Sequence, residues 1–126
     1  MMDINKFDEI KGFIANNNFK LVSVENKNCI LKAKITETSV NPYGFPHGGF
    51  IFGLADTAAG VAARSEGRKA MTVSADIDYL HASKGSELTA EAICIKDGKT
   101  ISVYEVSVSD ETRLIAKGSF TYFYLD

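Results

Sequence analysis

The chain has 126 residues, 45% hydrophobic and 24% charged. That is one domain with one core, and neither a disordered tail nor a membrane protein. Fourteen Lys and Arg against sixteen Asp and Glu leave a net charge of −2, which argues against a general electrostatic grip on nucleic acid.

Met1 to Asn18 carries acids and amides without a continuous apolar segment. It is no signal peptide, and the cytoplasm is the expected compartment. Residues 3–17 read as an amphipathic helix. Ile4, Phe7, Ile10, Phe13 and Ile14 recur at helical spacing, Asp3 can cap the start, and the Asn16-Asn17-Asn18 run ends it. Two alternating runs follow, Phe19 to Glu25 and Asn28 to Thr36, with Asn26-Lys27 as the turn between them. Cys29, Leu31, Ala33 and Ile35 share a face of the second run, so it is a half-buried strand.

Residues 41–47 hold both prolines with Gly44 between them, which makes a stiff, irregular loop. Residues 48–65 are apolar on nearly every side. Such a helix is a buried one, too short and too rich in glycine to cross a bilayer. The remainder is strand-like: Met71 to Leu80, Glu87 to Lys96, Thr100 to Ser109 and Arg113 to Tyr124. Asp97-Gly98 is a type I′ hairpin signal; Ser109–Thr112 is a weaker turn, and Ser83-Lys84-Gly85-Ser86 makes the preceding one. Consecutive hairpins around one buried helix give an α+β layer, with the helix lying across an antiparallel sheet of five to six strands.

Asp56 is the sole charged residue between Phe50 and Ala63. A buried carboxylate is costly unless satisfied, commonly by several kcal/mol. It reads either as a carboxylate held by a hydroxyl or amide, or as a general base or nucleophile in a dry pocket. Pro46-His47-Gly48-Gly49 starts the same helix. First-turn amides have no intrahelical acceptor, and glycine lets a substrate oxygen approach them. The pattern is either a tightly packed helix start or an oxyanion hole. Gly48 and Asp56 stand eight positions apart, about 12 Å along one helix. They can act on one carbonyl only if two copies of the helix run antiparallel, so the enzyme reading requires a symmetric dimer. Small residues at Gly49, Gly53, Ala59, Gly60 and Ala63 would permit close approach of the two.

The stretch Asn41-Pro-Tyr-Gly-Phe-Pro-His-Gly-Gly, with Leu54-Ala-Asp-Thr behind it, resembles the PaaI-like branch of hot-dog-fold acyl-CoA thioesterases. Thr72-Val-Ser-Ala-Asp-Ile-Asp-Tyr-Leu is similar to that branch's next strand. The resemblance runs from about residue 19 to the C-terminus. It implies a hot-dog fold, a homodimer or homotetramer, and neither metal nor cofactor. Residue by residue, it implies that Asp56 activates water or attacks the thioester, and that the Gly48 N–H of the opposite subunit polarises the carbonyl. It places Asn41 near the reacting group, His47 beside the glycines and Thr72 where water is positioned. Gly49 belongs with the substrate-contacting main chain; Tyr43 and Phe45 would shape acyl entry, and apolar Phe52 would keep the substrate region dry. A thioester is electrophilic enough for a carboxylate and a polarised carbonyl to suffice.

The other candidates are weaker. His81 follows a strand with no acidic neighbour at a telling spacing, and Asp76 and Asp78 lie on its polar face. Arg64, Arg68, Lys69, Lys84, Lys96 and Lys99 cluster near turns, where they solubilise or meet CoA phosphates. Cys29 and Cys94 show no CxxC or His/Cys spacing, so no metal site is expected and each reads as a small hydrophobe. The rival functions are a hot-dog dehydratase or hydratase, for which His47 at the helix start is a poor fit, and a non-catalytic acyl-CoA-binding protein. No membrane or nucleic-acid partner is expected.

Overall fold

The computed structural model describes residues 4–126. Its elements are α1 (Ile4–Phe7), α2 (Phe13–Asn16), β1 (Phe19–Glu25), β2 (Asn28–Lys34), α3 (Gly48–Arg64), β3 (Ala70–Tyr79), β4 (Glu87–Asp97), β5 (Ile101–Ser109) and β6 (Leu114–Tyr124). The six strands form one antiparallel sheet in the order β1-β2-β4-β5-β6-β3. α3 lies across one face of it. Its buried Phe50, Ile51, Leu54, Ala55, Ala58 and Ala62 meet Leu31, Leu88, Ala90, Val106, Val108 and Phe120 from the strands. This is the long helix in a curled sheet that the resemblance implies.

Alternation sets the strands. On β5, Ser102, Tyr104, Val106 and Val108 are buried under α3, while Ile101, Val103, Glu105 and Ser107 face outward. Asn26 and Lys27 both take positive φ, 52° and 58°, as a two-residue type I′ turn demands. Cys29 is fully buried, and desolvation pushes its thiol up to about 12.

Two expectations are corrected. The helix over 3–17 is two single turns instead, α1 and α2, with Gly12 at φ 88° between them. A left-handed residue breaks the helix, and glycine takes that conformation at no steric cost. The helical stripe breaks with it: Phe7 is buried, but Ile10 and Phe13 are exposed. The proposed Asp3 cap lies outside the described residues.

The strands are not a run of consecutive hairpins either. Among the described residues β3 pairs only with β6, whereas β4 sits between β2 and β5. Ser83–Ser86 therefore carries the chain from one edge of the sheet toward the other, past the β5–β6 loop. That loop holds it there: Ser83 Oγ donates to Asp110 Oδ2 at 2.6 Å, and Ser86 Oγ to Glu111 Oε2 at 2.6 Å.

The small residues of α3 serve packing within the chain. Ala59, Gly60 and Ala63 are buried, and Gly53 faces the Phe13 ring. They let the helix sit close to its own sheet.

Candidate active site

Asp56 is half-buried, on the side of α3 that faces β3 and β6. Thr72 Oγ1 donates to Asp56 Oδ1 at 2.8 Å, and the Tyr122 hydroxyl lies 2.8 Å from the same oxygen. The Tyr122 hydroxyl also lies 2.6 Å from the Asp56 main-chain oxygen. Two hydroxyls thus hold Oδ1, while Oδ2 has no partner among the described residues. Burial, with the Asp56 charge adding to it, raises the Tyr122 pKa far above the ordinary phenol value, so Tyr122 stays a donor. Thr72 and Tyr122 are cross-strand partners in the β3–β6 ladder, which is why both reach the same carboxylate. Gly60, one turn further along α3, makes this possible. A Cβ there would stand 2.8 Å from the Tyr122 oxygen.

The start of α3 is organised differently. His47 is the N-cap, and its Nδ1 accepts the Gly49 N–H at 2.8 Å. The Phe50 and Ile51 amides both donate to the His47 carbonyl, at 3.0 and 3.1 Å, and the His47 N–H donates to Ser39 O. One first-turn donor remains. The Gly48 N–H has no acceptor among the described residues, and it sits at the positive end of a 17-residue helix. Gly49 carries no free amide to offer a substrate. Its missing side chain instead makes room for the His47 ring, whose Nδ1 would be 3.1 Å from a Cβ there.

Asn41 fixes the loop before the helix. Its Oδ1 accepts the N–H groups of Tyr43 at 3.0 Å and Phe45 at 3.1 Å. Two main-chain donors identify that atom as the oxygen, so the Nδ2 donors are left over. Gly44 at φ 88° closes the turn, and Val40 pairs with Pro46. Asn41, Phe45, Gly48, Tyr79 and His81 line one cavity of about 270 Å³. Tyr43 is 85% exposed. Phe52 is half-buried with its ring 5.5 Å from Phe120, so it packs with the core.

Within one chain, then, the residues form two groups: Asp56, Thr72 and Tyr122 at mid-helix, and Gly48, His47 and Asn41 at the helix start. Tyr122 escaped the sequence reading because it lies on the inward stripe of β6, which reads as core. The available signal was its hydroxyl, since a buried tyrosine oxygen requires a partner and Asp56 is the charge nearby. His81 also lines the cavity beside Gly48, its Nδ1 2.9 Å from Leu114 O. Two of the turn cations have internal partners: Arg64 donates to Ala70 O, and Arg68 to Lys99 O and Asp126 O. Among the described residues no cluster of His, Cys, Asp and Glu is arranged to hold a metal ion.

A model of the thioesterase superfamily matches residues 43–117, which include Gly48, Asp56 and Thr72. The chain belongs to this superfamily. The 1,4-dihydroxy-2-naphthoyl-CoA hydrolase of Listeria monocytogenes is 36% identical over 97 residues, 75% of this chain and 79% of that protein. The acyl-coenzyme A thioesterase PaaI of Escherichia coli is 30% identical over 94 residues, 74% of this chain and 67% of that protein. The solved E. coli PaaI structure superposes with a TM-score of 0.91, at 23% identity, over 97% of this chain and 90% of that one. A Streptococcus mutans protein, smu.793, solved bound to acetyl CoA, is 36% identical with a TM-score of 0.83, over 92% of this chain and 93% of that one. The superfamily member described here is PaaI-like, has the hot-dog fold and is a thioester hydrolase by class.

Proposed function

We propose that this protein hydrolyses an acyl-CoA thioester to a free acid and CoA, at sites each built from Gly48 of one protomer and Asp56 of its partner. The observation that carries this reading is a division of labour along α3. Among the described residues, a carboxylate with one oxygen held and one free lies eight residues from the single unbonded first-turn N–H. About 12 Å of helix separates them, too far for one carbonyl.

The edge of the sheet supports the pairing. β3 is its last strand, paired on one side only among the described residues. Met71 and Val73 on it are 58% and 62% exposed. A long exposed edge is a template for a second strand. A two-fold axis there would run two β3 strands antiparallel and bring each Asp56 toward the other copy's Gly48. The acetyl CoA bound by the S. mutans protein and the CoA thioesters named for the curated relatives favour CoA as the thiol.

The chemistry follows. The Gly48 N–H, aligned with the helix dipole, takes the thioester oxygen and stabilises the charge that develops on it. Asp56 Oδ2 either removes a proton from water as its oxygen attacks the carbonyl carbon, or attacks that carbon itself to give an anhydride that water then opens. The C–S bond breaks, the thiolate leaves and takes up a proton, and the acid is released. Thr72 and Tyr122 keep Oδ1 engaged, so the free oxygen points one way through the reaction.

Two measurements test this. Single-turnover release of thiol from a panel of acyl-CoAs compares wild type with Asp56→Ala, and equal rates on every substrate reject the role of Asp56. Subunit mixing tests the shared site. Asp56→Ala and Gly48→Pro should each be inactive alone, and a mixed dimer contains one intact site. Co-refolded equal amounts should regain about a quarter of wild-type activity by random pairing. No recovery would place both groups' work within single chains and defeat the composite site.

A further inference from the structure

Resting on that reading, we infer that Tyr79 is a positioning residue for the carbonyl-polarising amide, clamping the first turn of α3 so that the Gly48 N–H keeps its aim. The Tyr79 hydroxyl donates to the Gly48 carbonyl at 3.1 Å. Two of its ring atoms lie 3.6 and 3.7 Å from the place a Gly48 Cβ would occupy. The clamp answers a local weakness. Two successive glycines begin this helix, and glycine is among the poorest helix formers. The cap from His47 secures Gly49, and the His47 carbonyl secures Phe50 and Ile51. Tyr79 is the side chain that secures Gly48 itself. An amide that stabilises an oxyanion must be held within about half an ångström of its productive position. Burial raises the Tyr79 pKa, which keeps the proton on the donor.

The strand bearing Tyr79 gives the contact a second meaning. Thr72 and Tyr79 are seven residues apart on β3. In a regular strand an odd separation sends two side chains to opposite faces. Here both reach α3, Thr72 at Asp56 and Tyr79 at Gly48. A bulge accounts for it. Thr72 pairs with Tyr122 but Ser74 with Thr121, so Val73 is an extra residue, and an extra residue re-aims the side chains beyond it. From there the register continues regularly to Tyr79 opposite Ala116. β3 thereby holds both reacting groups of its own chain, and it is also the edge proposed to meet the partner. The spacing between the carboxylate of one protomer and the amide of the next is set by one strand.

The test uses the intact protein with hexanoyl-CoA and benzoyl-CoA as probes, and compares wild type, Tyr79→Phe and Asp56→Ala. Tyr79→Phe keeps the ring and deletes the donor. We expect kcat to fall about tenfold with KM within twofold of wild type, because orientation and not affinity is lost. We also expect amide hydrogen exchange at Gly49, whose N–H is held by His47, to quicken about tenfold, a readout that requires no turnover. An unchanged kcat overturns the inference, whatever the exchange shows. So does a fall in kcat with unchanged exchange, or a rise in KM alone, which would mark Tyr79 as a substrate contact. If Asp56→Ala is inactive while Tyr79→Phe is fully active, the inference fails and the proposed function stands. If Asp56→Ala is fully active, both fall together.

Discussion

The middle and the start of α3 do their work with different parts of the chain. At mid-helix a side chain is the working group, and two side-chain atoms fix it, Thr72 Oγ1 and the Tyr122 hydroxyl on Asp56 Oδ1, with Gly60 leaving the tyrosine room. At the start the working group is a main-chain N–H, selected because its neighbours are all occupied. A side-chain site should be sensitive to single atoms. A main-chain site should tolerate a change of side chain and fail only when the N–H goes or the turn shifts.

The largest effect should follow Asp56→Asn. The amide matches the carboxylate in shape but is neither base nor nucleophile, and loss of such a group costs about 10²- to 10⁴-fold. Steady-state kcat on the best acyl-CoA of a panel is the measurement; a fall of less than tenfold would remove Asp56 from the chemistry. Gly48→Pro comes next, with a loss of about 10²- to 10³-fold for a deleted oxyanion donor. Proline suits the first helical position, and His47 at φ −64°, ψ 140° already has the extended backbone that a residue before proline prefers. Circular dichroism and Tm should therefore stay close to wild type while kcat collapses. Unfolding of this variant would contradict the view that the N–H is structurally idle.

Removing one of the hydroxyls on Oδ1 should have a smaller effect. Tyr122→Phe and Thr72→Val should each lower kcat about tenfold, the scale of one hydrogen bond to a charged group, while Thr72→Ser keeps its donor and most of the rate. The comparison sharpens further at the two glycines. A Cβ on Gly48 would meet the Tyr79 ring at 3.6 Å, ordinary contact, whereas one on Gly49 would meet His47 Nδ1 at 3.1 Å. Gly48→Ala should thus retain activity within about threefold, since the N–H remains. Gly49→Ala should lower Tm by loosening a cap worth about 1 kcal/mol. The reverse ranking would mean that Gly48 is there for space and not for its amide.

Much of this was readable in the residues, and what was not has identifiable causes. The α3 span, the strands and the isolation of Asp56 follow from periodicity and from the cost of an unpaired charge. Strand order did not follow. β3 has nine of its ten residues half-buried or exposed, so its own pattern says only that it is an edge and not which neighbour it takes. The Val73 bulge changes which residues share a face, and alternation counted along the sequence misses that. The N-terminal stripe kept helical spacing across Gly12, where backbone freedom at one residue overrode the pattern. The sequence singled out Gly48 and Gly49 as a pair. Only the His47 ring, by taking one amide, separates them.

The smallest effect concerns acid and the segment that borders the Gly48 cavity. Ala82 and Ser83 line that cavity, and the loop they begin is tied down at Asp110 and Glu111. The hydrogen bond from Ser86 Oγ, followed by the Ser86 N–H, holds the Glu111 carboxyl down to about 2 against an ordinary 4.5. The Ser83 hydroxyl, followed by the Thr112 N–H, holds Asp110 below its usual range as well. Both folded-state values lie below the unfolded ones. Their contribution is therefore complete above about pH 5 and is lost as pH falls through 4.5 toward 2. Glu111 is fully solvent-exposed, so the contribution is small. It should appear as a difference between two proteins rather than as a transition of its own. Between pH 6 and pH 3 the Tm of wild type should fall further than that of Glu111→Gln, whose side chain still accepts from Ser86 but does not titrate. Relative to Glu111→Gln, the wild-type KM and not its kcat should rise over the same interval, because the loop borders the cavity and touches neither Gly48 nor Asp56. Equal pH dependence in the two proteins would show that this anchor is idle, and a wild-type kcat that falls further than that of Glu111→Gln would show that the loop reaches further into the site than its contacts indicate.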